Sequence, residues 1–192
     1  MRALFILLLI WPVIALAQPA DPLPKRLVEG GYAQIGVTLA YDPSYARIGF
    51  PGGDVPLSRG VCSDVVIRAY RSTGIDLQAL INQDMRRDFQ AYPKIWHLAQ
   101  PDPNIDHRRV PNLATFFRRH GQSLAVTAVA GDYRAGDVVT FQLSNGLAHI
   151  GLVSDRLQEG RPLIIHNIGE GAQLEDVLFA FKITGHYRYL PG

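Results

Sequence analysis

The hydrophobic pattern of this chain changes once, from helical spacing in the first two thirds to short β-prone runs in the last third. Apolar residues recur at helical spacing after Cys62, after Asp76 and from about Pro111 to His120. Four short runs rich in branched and aromatic residues follow, over residues 137–143, 148–154, 163–168 and 178–183. Helices followed by an antiparallel meander predict an α+β fold, a single domain with N-terminal helices packed on a C-terminal antiparallel sheet.

The N-terminus has the pattern of a secretory signal peptide. Arg2 precedes an apolar run of 15 residues that ends in Ala15-Leu16-Ala17, the small-x-small form of a signal peptidase site. The run is shorter than the roughly 20 residues of a membrane-spanning helix. The sequence therefore predicts a signal peptide over residues 1–17, an extended proline-rich lead-in over 18–26 and one domain over 27–191. The protein is expected to be exported, periplasmic or secreted, without a membrane span after cleavage.

The charge balance excludes some partners. Removal of residues 1–17 leaves 175 residues with 18 basic and 17 acidic side chains. A nearly neutral chain of this size gives no reason to expect a nucleic-acid or membrane-surface partner. We expect a monomer.

Cys62 is the only cysteine, so the domain has no disulfide framework. It lies where a glycine-marked turn runs into the clearest helix of the chain. A helix N-terminus carries partial positive charge and unpaired N–H groups, which lower the pKa of a thiol and can stabilise an oxyanion. The position predicts a reactive nucleophile. The alternative is a small buried apolar residue, the usual role of a free cysteine.

His149 and His166 lie in consecutive β-prone runs. If the two residues face each other in a hairpin, its apex falls between Leu157 and Gln158, inside the polar turn 155–160. Directly opposed side chains are close enough for one imidazole to hold the other. Asn167 would then point to the opposite face of the sheet.

These residues predict acyl transfer by a Cys-His-His mechanism that needs no cofactor and no metal. Cys62 would attack a carbonyl as a thiolate held in an ion pair with His149, which later protonates the leaving amine. His166, with Asn167 as the substitute third residue, would fix the tautomer of His149. The backbone N–H of Cys62 is the expected oxyanion donor.

A polar stretch in the loop of residues 93–111 supplies further candidates. Its arginines could bind a substrate carboxylate through paired hydrogen bonds, or could form an internal network of ion pairs. The candidate substrate-binding residues, which include one acid from the first turn of the helix after Cys62, are Asp64, Asp106, His107, Arg108 and Arg109.

Four segments resemble the bacterial domain-of-unknown-function family 1287: residues 60–70 (GVCSDVVIRAY), 104–113 (NIDHRRVPNL), 148–154 (AHIGLVS) and 166–169 (HNIG). The resemblance covers about residues 27–191. That family looks like a branch of the papain-like clan that includes the NlpC-type cell-wall peptidases. The resemblance implies a papain-like fold, a site formed by Cys62, His149 and His166, and a peptidoglycan peptide as substrate.

One position departs from the NlpC pattern. NlpC-type enzymes have a tyrosine about a dozen residues before the cysteine, whose hydroxyl supports the oxyanion hole, and the nearest match here is Phe50. Tyr41 or Tyr45 are the candidate substitutes. The sequence therefore predicts an exported cysteine amidase or peptidase. The alternatives are a non-catalytic cell-wall-binding module or a metal-binding module with a structural cysteine.

Overall fold

The computed structural model describes residues 21–191. The signal peptide predicted over residues 1–17 lies outside the described residues. Within residues 21–191, no helix is long and apolar enough to cross a membrane.

Four α-helices form the N-terminal part of the described chain: α1 (Leu23–Tyr32), α2 (Cys62–Ser72), α3 (Leu77–Arg87) and α4 (Val110–His120). Asp76 caps α3 as predicted, accepting a hydrogen bond of 3.0 Å from the Gln78 N–H. The lead-in predicted to be extended over residues 18–26 is instead helical from Leu23 onward. Pro24 lies in the first turn of α1, where its missing N–H has no intrahelical partner to lose.

The strands form two sheets in the described residues. The short strands β1 (Ala40–Tyr41) and β2 (Arg59–Gly60) pair in parallel. The large sheet has the order β3-β8-β4-β5-β6-β7, and every neighbouring pair is antiparallel. Its strands are β3 (Gln122–Leu124), β4 (Val138–Gln142), β5 (Ala148–Gln158), β6 (Arg161–Asn167), β7 (Ala172–Glu175) and β8 (Lys182–Arg188). The α+β class, with helices and an antiparallel sheet in one domain, is confirmed.

The large sheet buries both of its faces. One face, with Ile150, Leu152 and Ile165, packs with residues of α1, α2 and α4 in the main core. The other face carries a smaller cluster that includes Phe141 and Ile164. Because strand side chains alternate, neighbouring residues of β5 and β6 belong to different cores.

The register between β5 and β6 differs from the prediction. Leu152 pairs with Ile165, two positions from the predicted register, and the ladder is irregular between Val153 and Leu157. A shift of two residues leaves each side chain on its predicted face. The two histidines therefore share a face, as expected, but lie diagonally across the strands.

Close packing of α1 on α2 predicts that residue 30 tolerates no side chain. A Cβ on Gly30 would lie 2.1 Å from Ser72 Oγ and 3.1 Å from the Ala69 backbone. We expect Gly30→Leu to reduce the free energy of unfolding by about 1–3 kcal/mol through overpacking. Urea denaturation measures the loss. Gly131→Leu is the control, because a Cβ there meets no atom within 4 Å; equal losses in both variants would contradict the packing argument.

Candidate active site

The first turn of α2 positions Cys62. Val61 caps the helix in an extended conformation, and the Asp64 carboxylate accepts the Val61 N–H at 2.7 Å. A Cβ on Gly60 would lie only 2.9 Å from Asp64 Oδ2, so the preceding turn requires a small residue. The helix thus begins at the cysteine, as predicted.

A buried ion pair joins this turn to the loop before α4. The Arg108 guanidinium donates to both carboxylate oxygens of Asp64, at 2.8 and 2.9 Å. The two side chains are only 3% and 4% exposed, and Ser63 Oγ donates to the Arg108 carbonyl at 2.6 Å. Asp64 and Arg108 were predicted to bind substrate, but each has the other as its charged partner.

Cys62 lines a pocket of about 200 Å³ between α2, β5 and two loops. Tyr41, Trp96 and Arg109 contribute polar or aromatic groups to its wall. The Arg109 guanidinium lies 4.2 Å from the Trp96 ring centroid, and its Nη1 donates to Asp106 at 2.9 Å. Its Nε and Nη2 make no hydrogen bond within the described chain, so Arg109 retains donors for a ligand.

The other predicted substrate-binding residues have structural contacts. Asp106 is 1% exposed and accepts the Asp102 N–H at 2.6 Å. His107 is 3% exposed, and burial, with a contribution from Arg108, lowers its pKa to about 4. Neither side chain lines the pocket.

Of the two candidate substitutes for the NlpC-type tyrosine, Tyr41 lines the pocket. Phe50 does not line it, and the Tyr45 hydroxyl instead donates to Asp102 at 3.1 Å. Burial raises the pKa of Tyr41, with smaller contributions from Cys62 and Asp64. The hydroxyl therefore stays protonated and can donate a hydrogen bond.

The thiol is protonated rather than activated. Cys62 is 4% exposed, and burial raises its pKa to about 12. The backbone N–H groups of Ile150, Ser63 and Cys62 act in the opposite direction, but burial outweighs them. The lowered thiol pKa predicted from the helix N-terminus is wrong, because tertiary packing removes water from the sulfur.

The two histidines are in direct contact. His149 Nε2 lies 2.9 Å from His166 Nδ1, and His166 Nε2 lies 2.8 Å from a Glu175 carboxylate oxygen. Burial lowers the pKa of His149 to about 3, with a further contribution from His166. Burial also lowers the pKa of His166, against the opposing effect of Glu175. Both imidazoles are neutral near pH 7.

Cys62 and His149 approach the same point of β5 from different sides. The His149 ring lies on the sheet face of Phe141, 6.0 Å from that ring between centroids. The thiol lies with the main core, near enough to the N–H of Ile150, the residue after His149, for that group to oppose the rise in its pKa. Among residues 21–191, no hydrogen bond joins the sulfur to either imidazole.

Asn167, the substitute third residue, does not contact His149. It points to the helical side of the sheet, and its Nδ2 donates to the carbonyls of Gly60 at 3.0 Å and Ala40 at 3.4 Å. Asn167 therefore stabilises the turn that precedes Cys62 through these hydrogen bonds, while His166 contacts His149.

No group of three or more His, Cys, Asp or Glu side chains within residues 21–191 has an arrangement that could hold a metal ion. The two histidines and Glu175 are joined to one another in a line rather than converging on one point.

Comparison with known proteins identifies the family. The family described as Domain of unknown function (DUF1287) matches residues 28–189. The chain belongs to this family. It is similar to the Uncharacterized protein YijF of Escherichia coli (strain K12), at 57% identity over 164 residues, 85% of this chain and 80% of that protein. Every candidate site residue of this DUF1287 protein lies inside the matched range.

The Asp64–Arg108 pair predicts a large stability difference between two arginine substitutions. Arg108→Ala leaves a buried carboxylate without its partner, so we expect the free energy of unfolding to fall by about 3–5 kcal/mol. Arg59→Ala breaks an ion pair with Asp42 whose arginine side chain is 53% exposed, and should cost about 1 kcal/mol or less. Chemical denaturation of both variants measures the difference. Similar losses would show that the buried pair has no special role.

The buried thiol predicts slow alkylation in the absence of ligand. Because a pKa of about 12 leaves very little thiolate near pH 7, native Cys62 should react with iodoacetamide at least about tenfold more slowly than a free cysteine. Mass spectrometry follows the reaction, and the urea-unfolded protein is the control, which should react at the free rate. A native rate above the free rate would contradict the raised pKa.

Proposed function

We propose that this protein is a cysteine amidase or peptidase that cleaves cell-wall peptide through an acyl-enzyme on Cys62. One observation carries the proposal: the thiol lies near the N–H of Ile150, immediately after His149, while His166 Nδ1 lies 2.9 Å from His149 Nε2. A nucleophile, a base and a residue that orients the base thus occupy one end of β5. Resemblance to the NlpC-type peptidases supports the same assignment.

The mechanism starts from a neutral pair rather than the ion pair expected from the sequence. His149 uses Nε2 in its contact with His166, which leaves Nδ1 for the thiol proton. As the sulfur attacks the carbonyl carbon, Nδ1 accepts that proton, and it returns the proton to the leaving amine when the C–N bond breaks. His149 then takes a proton from water as the water oxygen attacks the thioester carbon; the C–S bond breaks, the carboxylic acid leaves, and His149 returns the proton to the sulfur. Without substrate, the thiol and the His149 ring lie on different sides of β5. The transfer therefore requires the two groups to come together in the complex with substrate, where catalytic hydrogen bonds often form.

Two donors in the pocket suit the oxyanion of this reaction. The N–H of Cys62 is in the first turn of α2, where it has no intrahelical partner. The protonated hydroxyl of Tyr41 is the second donor, in the role that the NlpC tyrosine fills. Each donor of this kind contributes about 10²–10³ in kcat when it is aligned with the developing charge.

Arg109 and Trp96 favour a substrate with a free carboxylate. Guanidinium groups bind carboxylates through paired hydrogen bonds, and the free Nε and Nη2 of Arg109 offer such a pair at the pocket wall. Stem peptides of peptidoglycan carry free carboxylates, and the predicted export signal would bring the enzyme to them.

The test is digestion of purified peptidoglycan and of synthetic stem peptides, with products separated and weighed by mass spectrometry. We expect Cys62→Ala and His149→Ala to reduce turnover by about 10³-fold or more, because the nucleophile and its base act as a unit. His120→Ala is the control, a histidine 38% exposed on the outer end of α4. Full turnover by Cys62→Ala would exclude the mechanism.

A second candidate, a non-catalytic cell-wall-binding module with a structural cysteine, is favoured by the burial and raised pKa of the thiol. The same experiment separates the two functions. A binding module would retain peptidoglycan without cleaving it, and its binding would survive Cys62→Ala.

A further inference from the structure

The sheet face opposite the helices carries a line of three polar side chains, from His149 through His166 to Glu175. The β6–β7 register pairs Ile164 with Glu175, so the acid shares the sheet face of His166. His166 is 0% exposed, whereas the Glu175 side chain is 45% exposed. The line therefore runs from the buried end of β5 to solvent.

With both rings neutral, the carboxylate favours one arrangement of protons along the line. A carboxylate only accepts hydrogen bonds, so a neutral His166 ring gains most from a proton on Nε2, the nitrogen that lies 2.8 Å from the Glu175 oxygen. The neutral His166 ring then has an unprotonated Nδ1, which can only accept. His149 must donate to it from Nε2, and the neutral His149 ring is left with an unprotonated Nδ1.

No other charged group of the described residues lies close enough to His166 Nε2 to favour this order of protons. His166 Nε2 is fully buried and its N–H is not aligned for a hydrogen bond, but it lies 2.8 Å from a Glu175 carboxylate oxygen, the one charged acceptor within ion-pair distance among the described residues. Gln173, the other polar residue on that face of β7, donates instead to the Glu170 carbonyl at 3.2 Å.

We propose that Glu175 is a positioning residue that fixes the tautomers of His166 and His149, and so creates the basic Nδ1 of His149. Its use in catalysis rests on the proposed hydrolase function, but the tautomer assignment does not. Without Glu175, no carboxylate favours a proton on Nε2 of His166 over one on Nδ1. In the reverse order both histidine rings are protonated on Nδ1, and Nδ1 of His149 could not accept the thiol proton.

The test combines a structural readout with a kinetic one. Nitrogen-15 NMR of histidine-labelled protein should find both rings neutral and protonated at Nε2 in the wild type. Glu175→Leu should move a substantial fraction of both rings to the Nδ1-protonated form. Glu175→Gln should keep the wild-type tautomers, since its amide oxygen can still accept. Glu170→Leu removes a nearby exposed charge and should change neither ring.

In the peptidoglycan assay, Glu175→Leu should lower kcat about tenfold or more with little change in KM, and Glu175→Gln should recover most of the loss. A wild-type His166 protonated at Nδ1, or unchanged tautomers in folded Glu175→Leu, would overturn the proposal. Should Glu175→Leu fail to fold, the wild-type tautomers and the Glu175→Gln kinetics still decide. If the tautomers respond as expected while the wild type cleaves nothing, the hydrolase function fails and the role of Glu175 stands.

Discussion

The ion pair between Asp64 and Arg108 is the interaction on which the pocket depends. It joins the first turn of α2 to the turn before α4, two segments separated by more than forty residues in the sequence, with N–O distances of 2.8 and 2.9 Å. The same guanidinium also donates to the Ser44 carbonyl at 3.4 Å, in the loop that follows Tyr41 of β1. Three parts of the pocket wall therefore contact the Arg108 guanidinium. Because Asp64 and Arg108 are both removed from water, the charge of either one would be costly without its partner.

The large sheet separates two chemical environments that the proposed reaction needs together. The helical side holds a thiol whose pKa burial raises, and the opposite side holds imidazoles whose pKa burial lowers. Both effects favour neutral groups, so the resting site avoids a buried charge pair. The reaction then requires proton transfer at the moment of attack, with backbone N–H groups already close to the sulfur.

Local patterns predicted the elements that have clear periodicity. The helix after Cys62 follows from its apolar stripe, and the side-chain faces of His149 and His166 follow from alternation, even though the register was wrong by two residues. The register error arises from the assumption that the two histidines are directly opposed, which places the apex between Leu157 and Gln158, whereas the last pair before the turn is Gln158 with Arg161. The strands β3 and β7 have only three and four residues, too few to alternate recognisably.

Features set by tertiary contacts could not be predicted from the sequence. The pKa of Cys62 depends on how deeply the sulfur is buried, and the helix N-terminus alone indicates the wrong direction. Arg108 and Arg109 are adjacent and chemically alike, yet one is enclosed by Asp64 and the other faces the pocket. Glu175 gave no signal, because its strand was not recognised.

The end of β6 has a further consequence for how the site can vary. His166 and Asn167 are consecutive, and they point to opposite faces: one contacts His149, and the other holds the Gly60 carbonyl just before the cysteine. A single peptide unit thus sets the spacing between the proposed base and the proposed nucleophile. An insertion or deletion there would exchange the two faces, so this strand end has to keep its length even where the loop after it changes.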